Sequence, residues 1–522
     1  MFSTFTTGVD GLDAILGGGV RFPADSAAFM FITGETGAGK TLLGLELLTR
    51  AWWNDDEGGR TFLFYSIEQS PKDLHKKLAQ DFGNFFGAPR PIEMVEGESP
   101  HKMAFDIEAP SGGKNRLILT QAAPAGSGLS EQHGFKVDLD WIKTEISNYL
   151  RAQDIGMVCL DNVGLLLNDL DYYDKRAALV NTRHELLRNR IHSIFILEEP
   201  IGKSPHFPTP EELSTDILLN LSFEDIGNFK TRIFEIVKAR HQYYYRGKHQ
   251  FSIAGKDLNR ELYLGARGER GPGVHIYPSV AAQLSIVRDS SHLQVPPRGK
   301  DPIAFTTPKI AAAFGNGSGP RRLSSTVVLA EPGSRYTTLA LIFLAEGARQ
   351  GEQGLLVSTK EDEDAIHRIC EQRAALPPLI QGEGFSKEFR LLYLHPEFLS
   401  AGKFLSDIQR MIAPGPDGEP PVQRLAFDNV FQLHRRFPLL TGQTFLIPAL
   451  LDLLRYCEVT PLLVDLVPQG NGQLQVDPSL YLSTFDNVFH LYLVEEDEHM
   501  RPYVRILKSV GNDYQRTPFP LD

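Results

Sequence analysis

Cysteine is scarce: three residues in 522, Cys159, Cys370 and Cys457, far apart and without C-x-x-C spacing. That argues against a disulfide framework or a thiolate zinc site and predicts three small buried hydrophobes. Long apolar runs are missing too. No uninterrupted run approaches the ~20 residues of a membrane span, and the opening MFSTFTTGVD lacks the basic region and apolar stretch of a signal peptide. A cytoplasmic chain without membrane contact is the expectation. Positive charge is in deficit, with 53 Lys and Arg against 65 Asp and Glu and a formal net charge of −12. Tight, indiscriminate nucleic-acid binding is therefore disfavoured, although a basic channel can sit on an acidic protein. At this length, with 42% hydrophobic residues, one ordinary core is not enough and two or more domains are predicted.

What is present is organised around Ala27 to Leu48, AAFMFITGETGAGKTLLGLELL. An apolar run ends at Gly34, a loop fitting G-x-x-x-x-G-K-[ST] spans Gly34 to Thr41, and a Leu-rich helical pattern follows. This is the order a phosphate site needs. A buried strand delivers the chain to a Gly-rich turn whose N–H groups wrap phosphate oxygens, and the next helix presents its positive end to the same anion. Gly34, Gly37 and Gly39 leave room for backbone to approach the ligand, Lys40 reaches the β and γ phosphates, and Thr41 offers a hydroxyl to Mg2+. ATP with Mg2+ is the expected ligand, bound along Gly34, Glu35, Thr36, Gly37, Ala38, Gly39, Lys40, Thr41 and Leu42. Further on, Ile155 to Leu160 reads as a strand ending in Asp161, the Walker B arrangement whose carboxylate holds magnesium. A helix over Lys175 to Arg190 and a strand over Ser193 to Leu197 follow, the latter ending at Glu198-Glu199. Strand and helix in this rhythm predict an α/β fold, a mostly parallel sheet flanked by helices with ligand at the C-terminal strand ends.

Phe5 to Val20, FTTGVDGLDAILGGGV, resembles the opening of the KaiC family of P-loop ATPases, within the RecA class, through Thr7, Gly8, Gly11, Leu12, Asp13, Leu16 and the Gly17 to Gly19 triplet. In RecA-like folds a carboxylate at the end of the strand after the P-loop helix polarises the water that attacks the γ-phosphate. Thr61 to Ile67 reads as that strand, so the resemblance makes Glu68 the candidate base; where the family usually has a second glutamate this chain has Gln69. KARHQYYYRGKHQFSI resembles the family's K-x-R segment and closing F-x-I strand. There the Lys and Arg reach into the neighbouring subunit's nucleotide site, which implies trans-acting Lys238 and Arg240 and self-association into a ring, a hexamer. Two other readings stand beside this one. His241 to His249 would also suit an aromatic-basic nucleic-acid patch, and a DNA-acting RecA or DnaB-like motor is the rival function, requiring a basic channel and DNA-stimulated hydrolysis.

The chain then repeats itself. Phe305-Thr306-Thr307 through Gly315-Asn316-Gly317 echoes the opening, LAFDNV from Leu425 to Val430 echoes VCLDNV from Val158 to Val163, and Glu361 stands opposite Glu68. Two tandem RecA-like domains are predicted, 1–285 and 286–522. An excursion from the core, rich in Pro, Gly and Ser, is expected over about 88–135. The second copy's loop, AEPGSRYT from Ala330 to Thr337, has Arg335 for the Gly before the lysine and Tyr336 for the lysine itself. Bulk replaces the phosphate space, so the second domain is expected to be degenerate. Lys508 survives there, but Val510 stands in the Arg position.

Overall fold

The computed structural model describes residues 1–78, 92–95, 101–121, 139–151, 154–167, 170–198, 209–226, 229–255, 272–290, 299, 301–304, 307–394, 400–415, 418–431, 433, 446–470, 472–496 and 499–521. These residues form two compact units, one ending at Ala282 and the other running from Gln283 onward.

In the first unit a run of six strands is parallel, in the order Ile217–Ile226, Phe29–Gly34, His192–Glu198, Asp154–Asp161, Arg60–Ser66 and Lys114–Gln121. Phe29–Gly34 is buried along its whole length, as its unbroken apolar sequence demands of a strand covered on both faces. Phe29, Phe31 and Phe195 pack edge to face across that centre. Antiparallel strands extend both sides: Phe229–Ala239, His249–Ala254 and Gly273–Tyr277 beyond Ile217–Ile226, and Lys102–Glu108 and Glu93–Val95 beyond Lys114–Gln121. Helix Lys40–Asn54 lies close against the sheet. A Cβ at Gly44 would stand 2.6 Å from Ile196 Cδ1 and 3.2 Å from Cys159 Sγ, so only glycine lets the helix sit this near the strands that carry Asp161 and Glu198.

The second unit repeats the plan. Its parallel strands run Asn487–Glu496, Thr326–Ala330, Thr460–Leu466, Val422–Asp428, Gln353–Ser358 and Phe389–Tyr393, with His499–Ser509 and Phe519–Pro520 antiparallel beyond the first of these. Each strand has its counterpart in the first unit.

This correspondence corrects the excursion expected over 88–135. Lys114–Gln121 is a full member of the parallel sheet, paired with Arg60–Ser66, and its Leu117, Ile118 and Leu119 are buried. Its equivalent in the second unit is Phe389–Tyr393. Among the described residues, the additional material is the antiparallel pair Glu93–Val95 and Lys102–Glu108; residues 79–91, 96–100 and 122–138 lie outside the described set. Two of the three cysteines are buried as expected, while Cys457 is half-buried. No helix among the described residues is long and apolar enough to cross a membrane.

Candidate active site

The chain leaves strand Phe29–Gly34 in the wide turn that the sequence predicts. Gly37 and Gly39 have φ of 79° and 111°, values that L side chains rarely adopt. A Cβ on Gly37 would meet nothing within 4 Å, so the turn faces open space, room for phosphate oxygens. Gly39 is the N-cap of helix Lys40–Asn54, with no side chain capping its N–H groups and no acid in its first turn. The helix therefore presents uncompensated donors and a positive dipole end to an anion. Glu35 holds the turn in place by accepting the Phe223 N–H at 3.1 Å, while its own N–H donates to Leu221 O at 3.0 Å.

Lys40 is buried, and its ammonium donates to Gly34 O at 3.0 Å and Glu35 O at 2.8 Å. Glu198 Oε1 lies 3.9 Å from that ammonium and accepts from the Thr36 hydroxyl at 3.5 Å. Of the Glu198-Glu199 pair, Glu198 ends strand His192–Glu198 and lies at the phosphate loop, and Glu199 is outside the described residues.

Asp161 ends strand Asp154–Asp161 next to this turn and is 6% exposed. Burial pushes its carboxyl up to about 6. The Thr41 hydroxyl, hydrogen-bonded to it, pulls the other way, Glu68 adds to the rise, and Lys77 and Lys40 oppose it. The structure thus brings Lys40, Thr41, Asp161 and Glu68 together at the C-terminal ends of neighbouring parallel strands. Glu68 is exposed, just past strand Arg60–Ser66, and its backbone is tied in because the Ile67 N–H donates to Asp161 O at 2.7 Å. Gln69 is turned away: its N–H donates to Ser66 Oγ and its side-chain oxygen accepts from Lys77 Nζ at 2.7 Å.

Lys238 and Arg240 sit elsewhere, at the end of strand Phe229–Ala239. Lys238 Nζ donates to Glu212 O at 2.6 Å, and burial lowers its pKa. Arg240 is exposed; its guanidinium donates to Leu213 O at 3.3 Å and stands 3.6 Å from Asp216 Oδ1, which Arg183 holds at 2.7 Å. The Gly-rich opening packs against the same loop. Gln242 bonds Leu16 O and Gly19 O through its amide, and the Tyr245 N–H donates to Ile15 O.

One residue of the site escaped the sequence reading. Asn162 is 6% exposed, accepts the Gly164 N–H at 3.2 Å and directs its side-chain nitrogen at Glu68 Oε1, 3.4 Å away. The signal was there, since both halves carry Asp-Asn at this point, Asp161-Asn162 and Asp428-Asn429.

The second unit keeps the framework of the loop and changes its residues. Gly333 and Arg335 hold positive φ, 86° and 63°, at the places of Gly37 and Gly39. The Thr337 hydroxyl donates to Asp428 at 2.7 Å, and burial raises Asp428 to about 6, as in the first unit. Tyr336 stands where Lys40 does. Glu331, 1% exposed, folds its carboxylate inward to accept from the N–H groups of Gly470 at 2.8 Å and Leu493 at 3.2 Å.

The chain is similar to known proteins in its first part and along most of its length. The family model "ATPase: KaiC" matches residues 5–87, the opening segment through the strand before Glu68 and beyond. A circadian clock oscillator protein KaiC of Picosynechococcus is 22% identical over 507 residues, covering 97% of this chain and 85% of its own length. KaiC 1 of Synechocystis is similar to the same extent, 22% over 509 residues with the same coverage. A UPF0273 protein of Pyrococcus horikoshii, 23% identical, takes in 48% of this chain and 91% of itself, a relative of half the length. With a P-loop followed by a Walker B strand, two units of one plan, and relatives of that name along nearly its whole length, the chain is similar to the KaiC proteins among RecA-class P-loop ATPases.

Proposed function

We propose that the chain is a Mg2+-dependent ATP hydrolase active in its first unit, taken as residues 1–285, and that copies assemble as a ring in which Arg240 of one completes the site of the next. The observation that carries this reading is the convergence of Lys40, Thr41, Asp161 and Glu68 on one open, Gly-lined turn. The turn's N–H groups and Lys40 bind the phosphates. Asp161 and Thr41 suit Mg2+ because both offer hard oxygens, and the raised Asp161 carboxyl marks buried negative charge short of compensation. Bound there, Mg2+ would neutralise charge on the phosphate oxygens. Glu68 orients water and accepts its proton.

Arg240 fits a role in trans because it is exposed at a strand end and held only loosely, while Arg183 already balances Asp216. Lys238 serves it from behind. Its ammonium braces the segment whose Leu213 carbonyl accepts from Arg240, and Lys508 repeats this in the second unit by donating to Leu482 O and Phe485 O. The second unit, taken as 286–522, is a scaffold without nucleotide.

Phosphate release from the full chain with MgATP tests the proposal. Glu68→Gln should cut turnover to a small residual rate while an ATP analogue still binds, and Arg240→Ala should do the same. DNA should leave the rate unchanged. Turnover at the wild-type rate in Glu68→Gln would remove Glu68 as the base, and DNA-stimulated hydrolysis would favour the motor reading.

A further inference from the structure

Asn162 has two ends, and the two units use them differently. Its Oδ1 accepts the Gly164 N–H at 3.2 Å. In the second unit Asn429 Oδ1 accepts the Phe431 N–H at 3.1 Å, the same contact to the N–H two residues on, at the same place after the Walker B strand. That half of the side chain shapes backbone, and both units keep it.

The other half differs. Because Oδ1 is committed to a donor, the Nδ2 end must face the opposite way, and there it meets Glu68 Oε1 at 3.4 Å. The reverse orientation would set the amide oxygen against the carboxylate and an NH2 against the Gly164 N–H, so both contacts select the same orientation. In the second unit the sequence match of Glu361 to Glu68 is corrected by one residue: Ser66 and Ser358 pair alike with Asp161 and Asp428, and the Gln69 and Glu361 N–H groups donate to their hydroxyls, so Lys360 stands at the place of Glu68 and no carboxylate does. The contact from asparagine to carboxylate therefore accompanies the turn that keeps its lysine, Lys40, and not the turn with Tyr336 in that place.

Glu68 needs such a partner. It is exposed at the end of its strand, with the negative Asp161 as a neighbour and Gln69 committed to Lys77. Without a donor, the carboxylate would swing toward solvent and away from Asp161. We infer that Asn162 is a positioning residue for Glu68: its Nδ2–H holds one carboxylate oxygen and leaves the other free to orient the attacking water. This rests on the reading of Glu68 as base.

The test compares full-length Asn162→Ser, Asn429→Ser, Glu68→Gln and the double variant Glu68→Gln/Asn162→Ser. Serine can still accept the Gly164 N–H but is too short to reach Glu68. Phosphate release gives kcat, and a fluorescent non-hydrolysable ATP analogue gives Kd. Asn162→Ser should lower kcat about tenfold with Kd within about twofold, while Asn429→Ser leaves kcat unchanged. The Glu68→Gln background should show no further loss from Asn162→Ser, because the contact's purpose is gone. A wild-type kcat in Asn162→Ser, or an undiminished loss on the Glu68→Gln background, overturns the inference. A wild-type rate in Glu68→Gln alone overturns the underlying reading instead. If Asn162→Ser does not fold, Asn162→Asp decides: it keeps the turn but sets oxygen against oxygen, so kcat should fall further at unchanged Kd, and a wild-type kcat there overturns the inference.

Discussion

Two buried aspartates, Asp161 and Asp428, share a position, a hydroxyl partner and a carboxyl raised to about 6. A folded-state pKa above the unfolded 3.8 contributes stability that is present below about pH 4 and lost as pH rises through 6. In the second unit nothing is proposed to bind and offset that loss. Asp428→Asn should therefore gain on the wild type by up to roughly 3 kcal/mol between pH 4 and pH 8, read from urea midpoints at both. A constant difference would mean that Asp428 does not titrate in this range. Lys40 poses the opposite case. Its ammonium already sits inside the turn on Gly34 O and Glu35 O, so Lys40→Ala should abolish nucleotide binding, checked by equilibrium binding of an ATP analogue.

At the scale of elements, the turn between strand and helix is decided by backbone angles. Arg335 bears a side chain at φ 63° where the first unit has Gly39, a left-handed cost of about 1–2 kcal/mol partly offset by the lower chain entropy of a non-glycine residue. Arg335→Gly should raise stability by up to about 1 kcal/mol, seen as a shifted denaturation midpoint. Gly39→Ala should do the reverse and weaken nucleotide binding as well. It would force φ 111° on alanine and push a Cβ to 2.7 Å from Ile253 Cδ1. The P-loop, the Walker B strand and the parallel sheet were legible because each is written in contiguous residues, as an apolar strand, a Gly-rich turn and an acid at a strand end. The strand Lys114–Gln121 was not. Its apolar stretch is short and lies between Gly- and Pro-rich segments, and only pairing with Arg60–Ser66 makes it core. The braces were hidden for a different reason. Glu35 meets Phe223 across 188 residues and Asn162 meets Glu68 across 94, and no local pattern records such pairs.

For the whole molecule, a group acting in trans makes an assembly more than the sum of its chains. Glu68→Gln and Arg240→Ala chains should each keep only a small residual rate alone. Mixed one to one under conditions that exchange subunits, they should recover about a quarter of the wild-type rate, because about one interface in four then joins an intact Glu68 to an intact Arg240. Native mass spectrometry of the wild type should show six copies with one nucleotide each. No recovery on mixing would return Arg240 to its own chain.

Glu331 carries a consequence for how the two halves respond to heat. Its carboxylate already takes the N–H groups of Gly470 and Leu493, so the second unit's loop is stapled by a residue of its own. In a calorimetric scan, an ATP analogue at 100 times its Kd should stabilise the first unit by about 2.7 kcal/mol and leave the transition of the second in place. One half of the chain would then melt according to the cell's supply of nucleotide, while the melting point of the other would be fixed when it is synthesised.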